Sequence, residues 1–360
     1  MAAAPTCAVA TTSTVKLFDK NLNNNLRFRF CNIVSVLNKK TALRVFSAGS
    51  DIVGFVETRD CDEYPDGHFG DLRQYNVFRR PRNTHGGGVA LLTRRSLKAH
   101  RRADLESSDL EMLMVEVVSA NLYVCVFYGP PVTVSSTVPA LIEHFRNFDQ
   151  AVISRCVIMG DFNTPKVDWD SKTSVVAHGS SLLQACKEFG WKQLVNFPTR
   201  KENILDLIFV PVSFPCLSVV SVPPPVTSCD HLGLELVTNV RRSRPRLLKK
   251  QRWIFSSANN RVFQLSLLET DWYSLLRDKD PSLQAEAIEE VIITKAKLQH
   301  RLIQYKLRYS SPVLPPVIRR TIKKRDALFA RFRKCRPSTH KDLLHGRWKS
   351  ASRLVDHHVR

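Results

Sequence analysis

Short runs of consecutive apolar and β-branched residues recur through the first 240 positions, separated by polar, turn-forming stretches. Runs this brief predict buried strands rather than helices. They place strands at Arg27–Val34, Asp51–Glu57, Gly87–Thr93, Met112–Val118, Leu122–Tyr128, Cys156–Met159, Leu205–Val210 and Leu232–Val237. Apolar positions at helical spacing predict helices over Lys39–Ala48, Val138–Ile153 and Ser180–Phe189. Strands and helices alternating in this way predict a layered α/β domain with paired sheets and helices outside them. Leu207 to Val226 carries no charged residue over a length that could cross a bilayer. Its five prolines exclude a single helix, and it reads as a buried strand followed by a proline-rich loop.

Beyond residue 240 the texture changes to the basic run Arg241-Arg242-Ser243-Arg244-Pro245-Arg246, which reads as a linker extending to Arg252. Helical periodicity follows over Val262–Leu276 and Leu283–Leu307, then a break at Ser310-Ser311-Pro312 and Pro315-Pro316. A basic helical stretch, Val317–Lys334, and a last one ending in His357-His358 complete the chain, with no internal repeat. The expected organisation is a disordered leader over 1–25, a globular domain over 26–240 and a basic helical connector or tail over 241–360.

Charge sharpens that division. The chain has a formal net charge of +21, from 54 Lys+Arg and 33 Asp+Glu, and 29 of those bases but only 10 of the acids lie in residues 241–360. The front is near neutral; the back is the part suited to a polyanionic partner, a nucleic acid or an anionic membrane surface. The 9 cysteines are scattered, with no Cys-x-x-Cys pair, and several sit inside apolar runs as small buried hydrophobes. A reducing compartment fits, nuclear or cytoplasmic. Met1 to Val15 lacks the basic start and long apolar stretch of a secretory signal, so the expectation is a protein that is not secreted and has no transmembrane segment.

The candidate chemistry stands at strand exits, where α/β folds place ligands. Glu57 closes Ile52-Val53-Gly54-Phe55-Val56, Tyr128 closes its own run, and Gly160-Asp161-Phe162-Asn163 follows Cys156–Met159. Asp206 and the adjacent pair Asp230-His231 add two carboxylates and an imidazole. Clustered carboxylate and carboxamide oxygens suit a hard cation such as Mg²⁺, and an Asp–His pair suits proton transfer. Together they describe metal-assisted hydrolysis of a phosphate ester. His357-His358 lacks companion ligands for zinc.

The order Asn32, Glu57, Tyr128, Gly160-Asp161-Phe162-Asn163, Leu205-Asp206-Leu207-Ile208-Phe209, Asp230-His231 resembles the endonuclease/exonuclease/phosphatase superfamily over about residues 27–240. Within it, Asn32 with Lys39, Asp51–Thr58, His85-Gly86-Gly87-Gly88-Val89-Ala90, Tyr128-Gly129-Pro130-Pro131 and Phe197-Pro198-Thr199-Arg200 look most like the endonuclease of non-LTR retrotransposons. The resemblance implies a four-layer α/β sandwich, two packed mixed β-sheets flanked by helices, here with a basic α-helical C-terminal extension. It implies a Mg²⁺ cofactor, replaceable by Mn²⁺, held by Glu57 with Asn32. Asp161 would orient or activate water, Asn163 would hold the scissile phosphate, and Tyr128 would sit against the phosphate or leaving oxygen. His231, oriented by Asp230, would stabilise the pentacovalent charge or move a proton; Asp206 would position the histidine or a second metal. Thr199, Arg200, Cys229 and Lys39 fall on the substrate side.

The implied partner is duplex DNA, nicked to leave a 3′-hydroxyl, with element RNA a further partner for the basic tail and no membrane. No aromatic-x-Asp-Asp polymerase segment follows the connector, so the chain resembles an element truncated before its reverse transcriptase. Two positions depart from the family pattern: Cys229 stands where Ser is usual, and Arg59 where an aromatic often follows the glutamate. A catalytically weakened nucleic-acid-binding remnant, or a phosphoinositide or phospholipid phosphodiesterase of the same fold, are the alternative readings.

Overall fold

The computed structural model describes residues 25–241, 249–306, 315–335 and 338–359; the leader and the segments 242–248 and 307–314 lie outside the described residues. The apolar runs become two six-stranded sheets. One contains β1 (Asn25–Asn32), β2 (Ile52–Val56), β3 (Tyr75–Arg80), β4 (Val89–Arg94), β13 (Cys216–Val222) and β14 (Gly233–Arg241), in the order β13-β14-β1-β2-β4-β3. The other contains β5 (Ala99–Arg101), β6 (Glu111–Val117), β7 (Leu122–Tyr128), β8 (Cys156–Asp161), β11 (Trp191–Gln193) and β12 (Asp206–Pro211), in the order β11-β12-β8-β7-β6-β5. β1 with β2 and β7 with β8 are parallel, and their other neighbours run antiparallel, so both sheets are mixed.

The period of two along each strand explains the layering. Phe28, Phe30, Ile52 and Val56 face Val124, Val126, Val157, Met159, Ile208 and Val210 in the core between the sheets. Their sequence neighbours turn outward: Cys31, Val53 and Phe55 pack under α1 (Lys40–Ser47), through Leu43 and Phe46. Cys125, Phe127, Ile158 and Phe209 pack under α2 (Val134–Arg146) and α4 (Ala177–Phe189). Strands buried on both faces read as continuous apolar runs for this reason. Among the described residues every cysteine is free, and no helix is long and apolar enough to cross a membrane.

Several elements differ from expectation, each for a physical reason. The proline-rich loop proposed after β12 contains β13, an edge strand whose prolines stand outside its bounds. β3, another edge strand, carries polar Asn76, Arg79 and Arg80 and so lacks an apolar run. The expected helix Val138–Ile153 begins earlier and divides into α2 and α3 (Gln150–Ile153). The remaining strands, β9 (Val167–Asp168) and β10 (Thr173–Ser174), form a short ladder of their own.

Residues 245–310 form a separate compact unit. In it, β15 (Lys249–Ile254) pairs antiparallel with β16 (Arg301–Lys306), and α5 (Ser257–Leu268), α6 (Trp272–Leu276) and α7 (Pro281–Gln299) complete the unit. The periodic stretch Val262–Leu276 is therefore two helices, the second capped by the Asp271 carboxylate accepting from Ser274 N. The expected helix Leu283–Leu307 stops at Gln299, where His300 turns extended and the chain continues as β16. The part of the Arg241–Arg252 linker from Lys249 onward is strand.

The last helices, α8 (Pro316–Lys334) and α9 (Thr339–Val359), cluster with the two-sheet domain. They form a hairpin zipped by Phe329 and Phe332 against Trp348, at 5.2 and 6.0 Å between ring centroids.

Candidate active site

Strand register assembles the site. Tyr128 pairs with Asp161, and Asp161 with Asp206, so these three residues stand in one row across β7, β8 and β12. Asn32 and Glu57 reach the same place from the ends of the parallel strands β1 and β2, and His231 from just before β14, antiparallel to β1. Residues spread over two hundred positions therefore converge because the sheets pack face to face.

The side chains form a continuous hydrogen-bonded array. Asn32 Nδ2 donates to Glu57 Oε1 at 2.8 Å and to Asp161 Oδ2 at 2.9 Å, while Asn32 Oδ1 accepts from Val34 N. Tyr128 OH donates to Glu57 Oε1 at 3.1 Å. His231 Nδ1 lies 2.7 Å from Asp206 Oδ2, and its Nε2 is 3.8 Å from Asp161 Oδ2. Asn163, at φ +43°, donates its backbone N–H to Asp161 Oδ1 and its side-chain amide to Gly129 O.

Asp161 and Asp206 are fully buried and His231 is nearly so. Burial, reinforced by the Asp206 charge, lifts the Asp161 carboxyl above the usual range. Burial pulls the His231 imidazole down, but the Asp206 and Asp161 carboxylates outweigh it and push it up to about 9. Burial and the Glu57 and Asp161 charges raise the Tyr128 phenol, which stays protonated at neutral pH.

Asp161, Asp206 and His231 each bring one ligand atom within 4.8 Å of the others, a group that can hold a metal ion. The donors fit a hard divalent cation: Asp206 Oδ1 is buried with no hydrogen-bond partner, and the carboxylate oxygens outnumber the nitrogen. Glu57 stands on the other side of Asn32 and Asp161, with its Oε2 paired to Arg59 at 3.1 Å.

The orienting and substrate-side assignments change in the structure. Asp230 does not orient His231; it projects outward to an exposed ion pair with Arg200 at 2.6 Å, and Asp206 holds the imidazole. Thr199 faces inward, not toward substrate: its Oγ1 accepts from Leu205 N and Asp206 N, both at 3.1 Å, and it is 1% exposed. Cys229 is buried with its thiol on Ile33 O, and Lys39 Nζ donates to the same carbonyl at 2.5 Å. Burial raises the Cys229 thiol, so it is no nucleophile. Of the four substrate-side residues, Arg200 and Lys39 are half-buried, and Thr199 and Cys229 are buried.

The sequence singles out Arg59 and the Gly86-Gly87-Gly88 run, but not their role as supports of Glu57. Glu57 and Arg59 both adopt positive φ, at +51° and +48°, and the loop is pinned by Thr58 N on Gly88 O and Arg59 N on Gly87 O. Gly88, at φ +87°, in turn donates to Glu111 Oε2, which Arg82 also engages through Oε1. The glycine run was the available signal, because only a residue without Cβ tolerates that backbone beside Thr58.

Residues 122–235 match the family model described as endonuclease-reverse transcriptase. The fold is similar to the endonuclease domain of TRAS1, a telomere-specific non-LTR retrotransposon, at 16% identity and a TM-score of 0.49, covering 61% of this chain and 100% of that one. It is similar to an AP endonuclease from Archaeoglobus fulgidus at 15% identity and 0.46, covering 60% and 100%. A third neighbour is the AP endonuclease LMAP from Leishmania major, at 14% identity and 0.49, covering 64% and 91%. No curated protein matches the chain in sequence. The family match spans β7 to β14 and takes in Tyr128, Asp161, Asn163, Asp206 and His231.

Proposed function

We propose that the protein is a Mg²⁺-dependent DNA endonuclease that hydrolyses a phosphodiester by in-line attack of water and leaves a 3′-hydroxyl, in the manner of a non-LTR retrotransposon endonuclease. The observation that carries this reading is the single array Tyr128–Glu57–Asn32–Asp161 meeting the Asp161–Asp206–His231 cluster. It combines carboxylates, amide, phenol and imidazole, and places no activated serine or cysteine among them. Mn²⁺ would serve the same donors.

A bound divalent ion supplies charge neutralisation on the non-bridging oxygens. Asp206, whose Oδ1 has no hydrogen-bond partner, and Glu57, joined to the cluster through Asn32, are the carboxylates that would hold it, leaving Asp161 beside the water. His231, which the Asp206 and Asp161 carboxylates hold toward its protonated form, would present its Nε2 to the charge that develops on phosphorus. Asp161, whose carboxyl is raised toward the working pH, is suited to take the proton of the attacking water. Asp206 fixes the imidazole, Tyr128 offers its O–H to the phosphate or leaving oxygen, and Asn163 supplies an amide once it releases Gly129 O. Arg200, half-exposed beside Asp230, would meet the DNA backbone.

The test is nicking of supercoiled plasmid in Mg²⁺ against EDTA. The parent nicks and leaves ends that a polymerase extends, while Asp161→Asn and His231→Ala each lose about 100-fold or more. Variants that nick as fast as the parent would remove the assignment. The Arg59 guanidinium on Glu57 favours a second reading, a nucleic-acid-binding protein with weakened catalysis. Equal DNA binding with and without EDTA, and no nicking by the parent, would establish that reading instead.

A further inference from the structure

The two loops that border the site are tied together and then tied to the C-terminal helices. Leu232 N donates to Thr199 O at 2.8 Å, and Arg200 pairs with Asp230, so loops 197–205 and 226–232 behave as one piece. From α9, the buried Asp356 carboxylate accepts from Thr227 N at 3.0 Å and from Thr227 Oγ1, four residues before His231. From α8, the Arg333 guanidinium lies over the Phe197 ring at 5.3 Å, two residues before the inward-facing Thr199. Val355 packs with Ala42 of α1 and, with Ile318 and Ile322, around Val226.

A cavity of about 800 Å³, lined by Phe46, Val220, Val222, Arg325 and Phe329 among others, lies between α8 and the edge of the first sheet. The hairpin's hydrogen-bond and cation–π contacts thus fall on the catalytic loops, while its apolar contact also reaches α1. A carboxylate with only 9% exposure, spent on one threonine of a loop, is costly to bury unless it orders that loop.

We infer that the α8–α9 hairpin is a brace for the catalytic loops, and that Asp356 is a positioning residue acting on His231 through Thr227. The inference rests on the proposed role of His231 in phosphodiester hydrolysis. Loop 226–232 has no regular secondary structure; Thr227 to Asp356 and Leu232 to Thr199 tie its two ends, and Cys229 Sγ on Ile33 O holds its middle. Releasing one end lets the imidazole leave its alignment with Asp161, an error to which in-line chemistry is sensitive.

The test uses the full chain in two arms. In plasmid nicking, Asp356→Ala lowers kcat about 10-fold or more with KM for DNA within about 2-fold, the signature of lost alignment rather than lost binding. Thr227→Val repeats the loss and Thr227→Ser restores the parent rate, which guards against a variant that simply fails to fold. In hydrogen–deuterium exchange, which needs no activity, Asp356→Ala accelerates exchange in residues 226–232 while the strand cores of both sheets stay protected. Unchanged kcat and unchanged loop exchange would overturn the brace, as would acceleration spread evenly over the domain. A parent that exchanges as described but does not nick would leave the brace standing and defeat the proposed reaction.

Discussion

His231 shows how one residue's chemistry is set by a partner the local sequence does not reveal. Asp230 is its neighbour in the chain, yet Asp206, on the strand paired to β8, makes the 2.7 Å contact. Side chains of adjacent residues in an extended segment point apart, so Asp230 goes to solvent and His231 inward. The consequence is a testable pH dependence. A histidine held up to about 9 in the folded protein, against 6.5 ordinarily, stabilises the fold fully below 6.5, and that contribution is lost as pH rises through 9. The raised carboxyl of Asp161 acts in the same sense at lower pH, since the folded state again holds the proton more tightly. Metal-free protein should therefore lose on the order of 2 kcal/mol of stability between pH 6.5 and 9, read from melting in EDTA. Asp206→Asn should flatten that profile and lower the His231 titration, followed by NMR, from about 9 toward 6.5. A profile unchanged by the substitution would show that Asp206 is not what holds the proton.

At the scale of elements, the turn that carries Glu57 depends on a second turn. Gly88 sits at φ +87°, and a Cβ there would run into Thr58 Oγ1, in the loop that sets both Glu57 and Arg59. Gly88→Ala should cost about 1–3 kcal/mol of stability and displace Glu57 from Asn32 and Tyr128. The checks are melting temperature together with Mn²⁺ affinity by calorimetry, which should weaken; unaltered affinity would mean that the turn is not the support of Glu57. This dependence also explains what was legible in the chain. The central strands announced themselves because both faces are buried, as in Val124-Cys125-Val126-Phe127, where inner and outer layers alternate between apolar residues. The edge strands β3 and β13 did not, because a half-covered edge tolerates arginine, serine and flanking proline. That Glu57, Asp161 and Asn163 stand at strand exits was legible in the chain, and the structure brings them together around Asn32 and Asp161. The inward turn of Thr199 and Cys229 was not legible, because it follows from which loop packs on which strand rather than from residue type.

At the scale of the whole molecule, the basic balance acquires two separable uses on one hairpin. α8 buries Arg325 and Phe329 toward the domain and exposes Arg319, Arg320, Lys323 and Lys324 on its other side. Its inner face meets the catalytic loops, so substitutions there should act on kcat. Its outer face carries solvated positive charge, so under the proposed function substitutions there should act on DNA affinity and its salt dependence. Replacing Arg319, Arg320, Lys323 and Lys324 by Gln together should therefore raise KM and leave kcat within about 2-fold. If all four contact phosphates, the slope of log affinity against log salt should fall by roughly 3 to 4, at about 0.9 per contact on duplex DNA. The slope is the decisive quantity, because a general loss of folding would lower kcat and affinity while leaving no ordered dependence on salt. An unchanged slope would place the DNA on another surface and leave the +19 of residues 241–360 without a role at this helix.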